Sequence, residues 1–220
     1  MAHTGDHSQE RAQGMFDPIE IDTPRLSDAA FRHIALSIVD GRLPQGERVR
    51  DEQISSELGV SRMPVREAMQ HLERLGLLDV RANRYTQVSR VTDAQVTDTL
   101  EYAGHYAAMT LRMALGRMDA RKRSVLASSL AEIRDHFATD GDAPAARLAV
   151  LHLLLQLSSN EVARRFAGDI DLVTTRNLHG RGLETRDGEE LAELLAVLPD
   201  AVAEGDADTS EALVRRHFGA

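Results

Sequence analysis

At 220 residues the chain has room for one or two domains and a sizeable buried core. It contains no cysteine, which excludes a disulfide framework, a thiolate nucleophile and a cysteine-based zinc site, and suits a reducing cytoplasm. A net charge of −9 argues against indiscriminate nucleic-acid binding, but the charge is uneven: residues 24–90 hold eleven Arg against nine acids, residues 91–220 fourteen basic groups against twenty-one.

Residues 1–23 are polar, rich in His, Gly and Gln and without periodicity, and read as a disordered arm with no secretory signal. Ser27 can cap a helix beginning at Asp28, with Phe31, Ile34, Ala35 and Ile38 on one face and Gly41 stopping it. Asp51 can cap a short helix over 52–58 whose core side is Ile54 and Leu58. Gly59 can take the left-handed conformation that ends this helix, and Val60 can plug the space before the next. Ser61 is a natural N-cap, and Pro64 is tolerable only in a first turn. Val65, Ala68, Met69 and Leu72 then fall at i, i+3, i+4 and i+7, so one face of a helix over 61–75 is buried. The other face carries Arg62, Arg66, Gln70 and Glu73.

Two arginines four apart are, by themselves, a solvated helix face. The order of elements around them raises a second reading. Residues 77–81 and 85–89 read as two short strands about Ala82-Asn83-Arg84. Helix, helix, helix and β-hairpin make the layout of a winged helix-turn-helix. In that layout Arg forks onto guanine O6 and N7 or clamps phosphate, and Gln pairs with adenine. Arg62 and Arg66 are the expected main DNA contacts, with Ser61 at the head of their helix and Gln70 assisting. Arg48, Arg50 and Arg84 are placed to hold the backbone.

Beyond Thr92 the pattern is helical to the end. Val96, Leu100, Ala103 and Ala107 space a helix to about Leu115; Asp119 can cap a second through about Phe137. Residues 143–157 are apolar nearly all round, which marks the central helix of a bundle, and the apolar run is too short to span a bilayer. Asn160 can cap the helix that follows, and His179-Gly180-Arg181-Gly182 is a break. A helix from Asp187 places Leu191, Leu194, Leu195 and Leu198 inside, with Pro199 starting a new turn or kink, and a last helix covers 208–217.

Residues 28–90 resemble the DNA-binding domain of GntR-family bacterial regulators. The resemblance is carried by Asp40-Gly41-Arg42-Leu43-Pro44-Gln45-Gly46-Glu47-Arg48, by Leu58-Gly59-Val60-Ser61-Arg62-Met63-Pro64-Val65-Arg66-Glu67-Ala68, and by Leu72-Glu73-Arg74-Leu75-Gly76-Leu77-Leu78. In that family the Arg before the x-Pro pair and the Arg two after the Pro contact DNA, which implies Arg62 and Arg66 here. The wing of the family usually has Gly where this chain has Tyr85. The helical half is similar to the FCD-type ligand domain of the FadR subfamily, through Leu151-His152-x6-Ser159-Asn160 and the segment from Ala201-Val202-Ala203-Glu204-Gly205-Asp206 to Val214-Arg215-Arg216-His217-Phe218. The fold implied is mainly α: a winged helix-turn-helix over 24–90 and an all-helical antiparallel, FCD-like bundle over 91–220.

Many FCD domains hold a divalent metal with an Asp and three His from different helices. The matching positions here are Leu148, His152, Leu195 and His217, so two leucines replace ligands and binding in the family manner is not expected. Family members that bind acids tend to carry an Arg and a Leu-Glu pair on the first helix, and Glu101-Tyr102-Ala103-Gly104-His105-Tyr106 has no Arg. The candidate effector pocket is Tyr102, His105, Tyr106, His152, His179 and His217, which suits a larger or less acidic small molecule. The bland alternative is a core histidine at 152 and a helix-end histidine at 217. The reading that follows is a cytoplasmic, homodimeric DNA-binding repressor. It takes a pseudo-palindromic double-stranded operator and a small-molecule effector, with no membrane partner and no certain cofactor. Two rivals are a helical half that only dimerises and a His-dependent metalloenzyme. Against the enzyme stands the lack of an HExxH, nucleophile-elbow or phosphate-loop signature.

Overall fold

The computed structural model describes residues 24–81, 84–157, 159–179 and 186–218. The expected N-terminal arm, the wing-tip pair Ala82 and Asn83, and the break at 180–182 lie outside the described residues.

The first apolar stripe folds as α1 (Pro24–Val39) and buries Ala30, Ile34, Ala35 and Ile38. It packs on α3 (Arg62–Arg74), whose Val65, Ala68, Met69 and Leu72 face inward as the heptad-like spacing predicts. Full burial of Val65 and Leu72 contributes roughly 1.5–3 kcal/mol each. Between these helices lies α2 (Asp51–Leu58), closed by Gly59 at φ 66°, a backbone shape glycine adopts without steric cost. Val60, half-buried, fills the turn against the same core.

The hairpin forms as β2 (Leu78–Arg81) and β3 (Tyr85–Val88). A third strand, β1 (Arg48–Val49), pairs antiparallel with β3 to give the sheet order β1-β3-β2. Sequence reading missed β1, because two residues with one inward Val carry no visible alternation. Three cap assignments also change: Ser27, expected to cap a helix beginning at Asp28, lies inside α1, which already runs from Pro24. Arg50, not Asp51, is the N-cap of α2, and Ser61 occupies the N-cap position of α3 without a side-chain bond to the helix.

The rest is helical: α4 (Asp93–Leu115), α5 (Ala120–Asp140), α6 (Ala143–Gln156), α7 (Glu161–Leu178), α8 (Arg186–Glu204) and α9 (Ala207–Phe218). Their starts follow local chemistry. Thr92 and Gln95 form a reciprocal capping box for α4, Asp119 accepts from the Lys122 amide, and Asn160 accepts from the amides of Val162 and Ala163. The α5 helix packs on α8 and α4 on α9, and the apolar α6 lies among α4, α5, α7 and α8. Leu111, Leu130, Leu151, Leu154, Leu155, Leu191, Leu194, Leu195 and Leu198 fill the core. Pro199 does not end α8, which runs on to Glu204. Among the described residues no helix is long and apolar enough to cross a membrane.

Helix α7 belongs to both halves. Its Leu172 and Val173 pack against the N-terminal core, and Asp169 Oδ2 lies 3.4 Å from His71 Nε2 on α3. Further along, buried Arg176 donates from Nη2 to the carbonyl and hydroxyl of Ser89, and the Ser89 hydroxyl donates to the Gly76 carbonyl just past α3. Arg176 Nη1 also donates to Asn177 Oδ1 (2.9 Å), and Asn177 Nδ2 to Thr99 Oγ1 on α4 (2.9 Å).

Candidate nucleic-acid interface

The outward face of α3 carries Arg62, Arg66 and Gln70 at four-residue spacing, so the three side chains rise from one stripe of the helix. The wing stands opposite. Between them runs an open groove of about 760 Å³, lined by Arg50, Asp51, Arg62, Arg66, Gln70, Arg81, Arg84 and Tyr85, among others. Five of the seven residues singled out for DNA therefore share one concave surface. Arg48 lies beside it on β1, with its guanidinium carbon 5.1 Å from the centre of the Tyr85 ring. That cation–π contact gives Tyr85 a role that a wing glycine cannot fill. Ser61 is exposed at the head of α3. Its hydroxyl makes no cap bond and the first turn of α3 has no acid, so the positive end of the helix is left available to an anion.

Electrostatically the groove is organised by one carboxylate. Asp51, on the first turn of α2, accepts from Arg62 Nη2 at 2.9 Å and from Arg62 Nε at 3.3 Å, and also from Arg66 Nε. Its side chain is 18% exposed, whereas those of Arg62 and Arg66 are 50% and 59% exposed. The Arg62 hydrogen bond, followed by that of Arg66, holds the Asp51 carboxyl below its ordinary range against the opposing effect of partial burial. Sequence reading gave Asp51 only a capping role. Its partners lie eleven and fifteen residues downstream, a separation at which no periodicity signals a contact.

The effector candidates occupy different surroundings. Tyr106 is buried and its hydroxyl donates to the Ala163 carbonyl. His152 is half-buried on α6, with Nε2 2.9 Å from Thr175 Oγ1 and 3.2 Å from Asp171 Oδ1 on α7. His217 is buried, and its Nε2 accepts from Nε of buried Arg147 at 3.2 Å. Tyr102 is exposed and lines a cleft between the end of α3 and helices α4 and α7; His105 and His179 are also exposed. The residues present do not fit the metal that an FCD-type domain would imply. Leu148 and Leu195 offer no donor atom, and the Arg147 guanidinium sits against the one His217 nitrogen accounted for above. Among the described residues no group of three or more His, Asp or Glu could hold a metal ion.

Residues 26–88 match the family described as bacterial regulatory proteins, gntR family. Over 67 residues the chain is 39% identical to the "Probable D-xylose utilization operon transcriptional repressor" of Paenarthrobacter nicotinovorans, covering 30% of each chain. Over 64 residues it is 40% identical to the HTH-type transcriptional regulator Mce2R of Mycobacterium tuberculosis, covering 29% of this chain and 27% of that one. The matched stretches thus span less than half the length of these curated relatives, which are named as regulators and not as enzymes. The fold similarity is longer. A GntR protein of Rhodococcus sp. RHA1 superposes with a TM-score of 0.61 at 20% identity, over 89% of this chain and 94% of that one. Escherichia coli McbR/YncC gives 0.58 at 17% identity, over 88% and 93%. Residues 26–88 thus match the gntR family model and fold as a winged helix-turn-helix, carried on a helical C-terminal half.

Proposed function

We propose that this chain is a homodimeric transcriptional regulator, acting as a repressor, that binds a pseudo-palindromic double-stranded operator through α3 and the wing. The unit at 24–90 contacts DNA, and the unit at 91–220, of FCD type as in the FadR subfamily, dimerises and receives a small molecule. The observation that carries this reading is the shared groove in which Arg62, Arg66, Gln70 and Arg84 converge beside exposed Ser61, with Arg48 and Arg50 behind them. One such domain buries too little surface for tight selective binding, which favours a two-fold dimer on two half-sites. A face for the second copy is offered by exposed Tyr102 and Met109 on α4 and exposed Val162 and Phe166 on α7, two helices that pack against each other.

Effector control is a coupling between the bundle and the groove. Helix α7 supplies the physical connection. It holds His152 through Thr175, with Asp171 alongside, and one residue further it holds Ser89, and through Ser89 the Gly76 carbonyl at the end of α3. A ligand that displaces Thr175 from His152 moves the element that seats the recognition helix. The test is selection of duplexes from a random-sequence library by the full chain, followed by gel shifts of the enriched duplex with wild type and Arg66→Ala. Unchanged affinity for the variant at physiological salt would refute the groove assignment.

A second reading has its own support. The Tyr106 hydroxyl and His152 ring already have partners inside the protein, as a helical half that only dimerises would arrange them. Native mass spectrometry of the purified protein separates the two, by the presence or absence of a bound small molecule.

A further inference from the structure

We infer that Asp51 is a specificity-determining positioning residue: its carboxylate holds the side edges of both arginines, so that Arg66 reads a base end-on while Arg62, at the head of α3, meets the phosphate backbone. The inference rests on the DNA-binding reading above and divides its two principal contacts into different jobs.

The orientation follows from which guanidinium edges are occupied, and the division from where each arginine sits. Arg62 turns its side edge to Asp51, with Nη2 2.9 Å from Oδ1 and 3.2 Å from Oδ2 and Nε 3.3 Å from Oδ2. A guanidinium used this way still turns both N–H groups of Nη1 and the outer one of Nη2 away from the carboxylate, toward whatever acceptor lies at the head of α3. Arg66 gives Asp51 only Nε. Its terminal edge keeps Nη1 and Nη2, two parallel donors with the spacing of guanine O6 and N7. Position separates the two. Arg62 opens α3 beside Ser61, at the helix end where phosphate is favoured, and Arg66 lies one turn further along the groove next to Gln70.

Charge supplies the second half. Two clustered arginines alone would attract any duplex through its phosphates, a pull that carries no sequence information. One carboxylate between them removes half of that charge and fixes both side chains before DNA arrives, so less ordering remains to be done on binding. A purely structural ion pair is a poor explanation of the arrangement. Both arginines are at least half exposed, and exposed pairs contribute little to folding.

The experiment uses the full chain as wild type, Asp51→Asn, Asp51→Glu, Arg62→Ala and Arg66→Ala. Binding is measured by fluorescence anisotropy to the duplex enriched by wild type from a random library and to a scrambled duplex of the same composition. Guanines in the enriched duplex are replaced singly by 7-deazaguanine, which lacks the N7 acceptor. Wild type should lose about tenfold at one guanine of each half-site. Arg66→Ala and Asp51→Asn should be insensitive at that guanine, whereas Arg62→Ala should keep the sensitivity. Asp51→Asn should bind the scrambled duplex about tenfold more tightly than wild type, and Asp51→Glu should restore discrimination. Sensitivity retained in Asp51→Asn, or lost in Arg62→Ala in place of Arg66→Ala, overturns the assignment. If wild type enriches no duplex at all, the DNA-binding reading itself fails and this inference with it.

Discussion

The two halves of the molecule use arginine in opposite ways. On the winged helix, Arg62 and Arg66 stand half in solvent and share one carboxylate, so each keeps hydration and donors in reserve for a partner. In the helical half, Arg147 and Arg176 are only 4% and 6% exposed, and their donors are committed to His217, Ser89 and Asn177. A guanidinium taken from water must find its partners inside the fold or destabilise it. The buried arginines are therefore part of how the protein holds its shape, and the exposed pair is what we propose it offers to DNA. Stability and recognition should respond separately when the two kinds are removed.

The sharpest break between them is Arg176→Ala. It deletes the bonds that tie α7 to Ser89 and leaves the buried Ser89 carbonyl and Asn177 amide short of a donor. The expected cost is about 3 kcal/mol of unfolding free energy, read from urea denaturation followed by circular dichroism. Arg66→Ala should do the reverse. Its unfolding curve should lie close to that of wild type, while affinity for the enriched duplex falls by roughly 1–3 kcal/mol. A smaller effect isolates a single buried hydrogen bond. Tyr106→Phe removes the hydroxyl that donates to Ala163 between α4 and α7, and the unfolding free energy should fall by about 1 kcal/mol with the ring still packed. If Tyr106→Phe instead weakened binding of a small molecule without changing stability, Tyr106 would belong to the effector pocket.

The same contrast explains what could be read from the chain before folding. Every residue of the groove lies between 49 and 86, and local rules place most of them: a left-handed glycine at 59, a proline in the first turn at 64, an apolar stripe from Val65 to Leu72. The all-helical half was legible at the level of elements for the same reason, since its caps and leucine stripes are local. What joins those elements is not local. Arg147 meets His217 across seventy positions and Arg176 meets Ser89 across eighty-seven. No spacing rule reaches that far, and the family pattern offered no guide, since the sequence already shows leucine at two of its four ligand positions, Leu148 and Leu195. Asp51 was missed on the winged helix by the same physics on a smaller scale. Its cap-like position at the start of α2 was visible, and its two arginines were not.

The smallest expected effect concerns the link between Asp51 and its arginines as pH falls. The Asp51 carboxyl titrates below its ordinary range in the folded chain because Arg62 and then Arg66 favour the charged form. In the unfolded chain its pKa returns to about 4. A group depressed in this way contributes stability that is complete above the unfolded value and is lost as pH falls through the folded one. The difference in urea midpoint between wild type and Asp51→Asn should be level from neutral pH down to about 4 and should close below it. Half-exposed partners limit that difference to under about 1 kcal/mol. The bonds of Arg176 to Ser89 and Asn177 use acceptors that do not titrate in this range, so their contribution should not follow the same curve. A gap between wild type and Asp51→Asn that stays open in strong acid would mean that the asparagine disturbs the start of α2, where Asp51 also accepts from the Glu52 amide, and that the arginine pairing carries no measurable share of the fold.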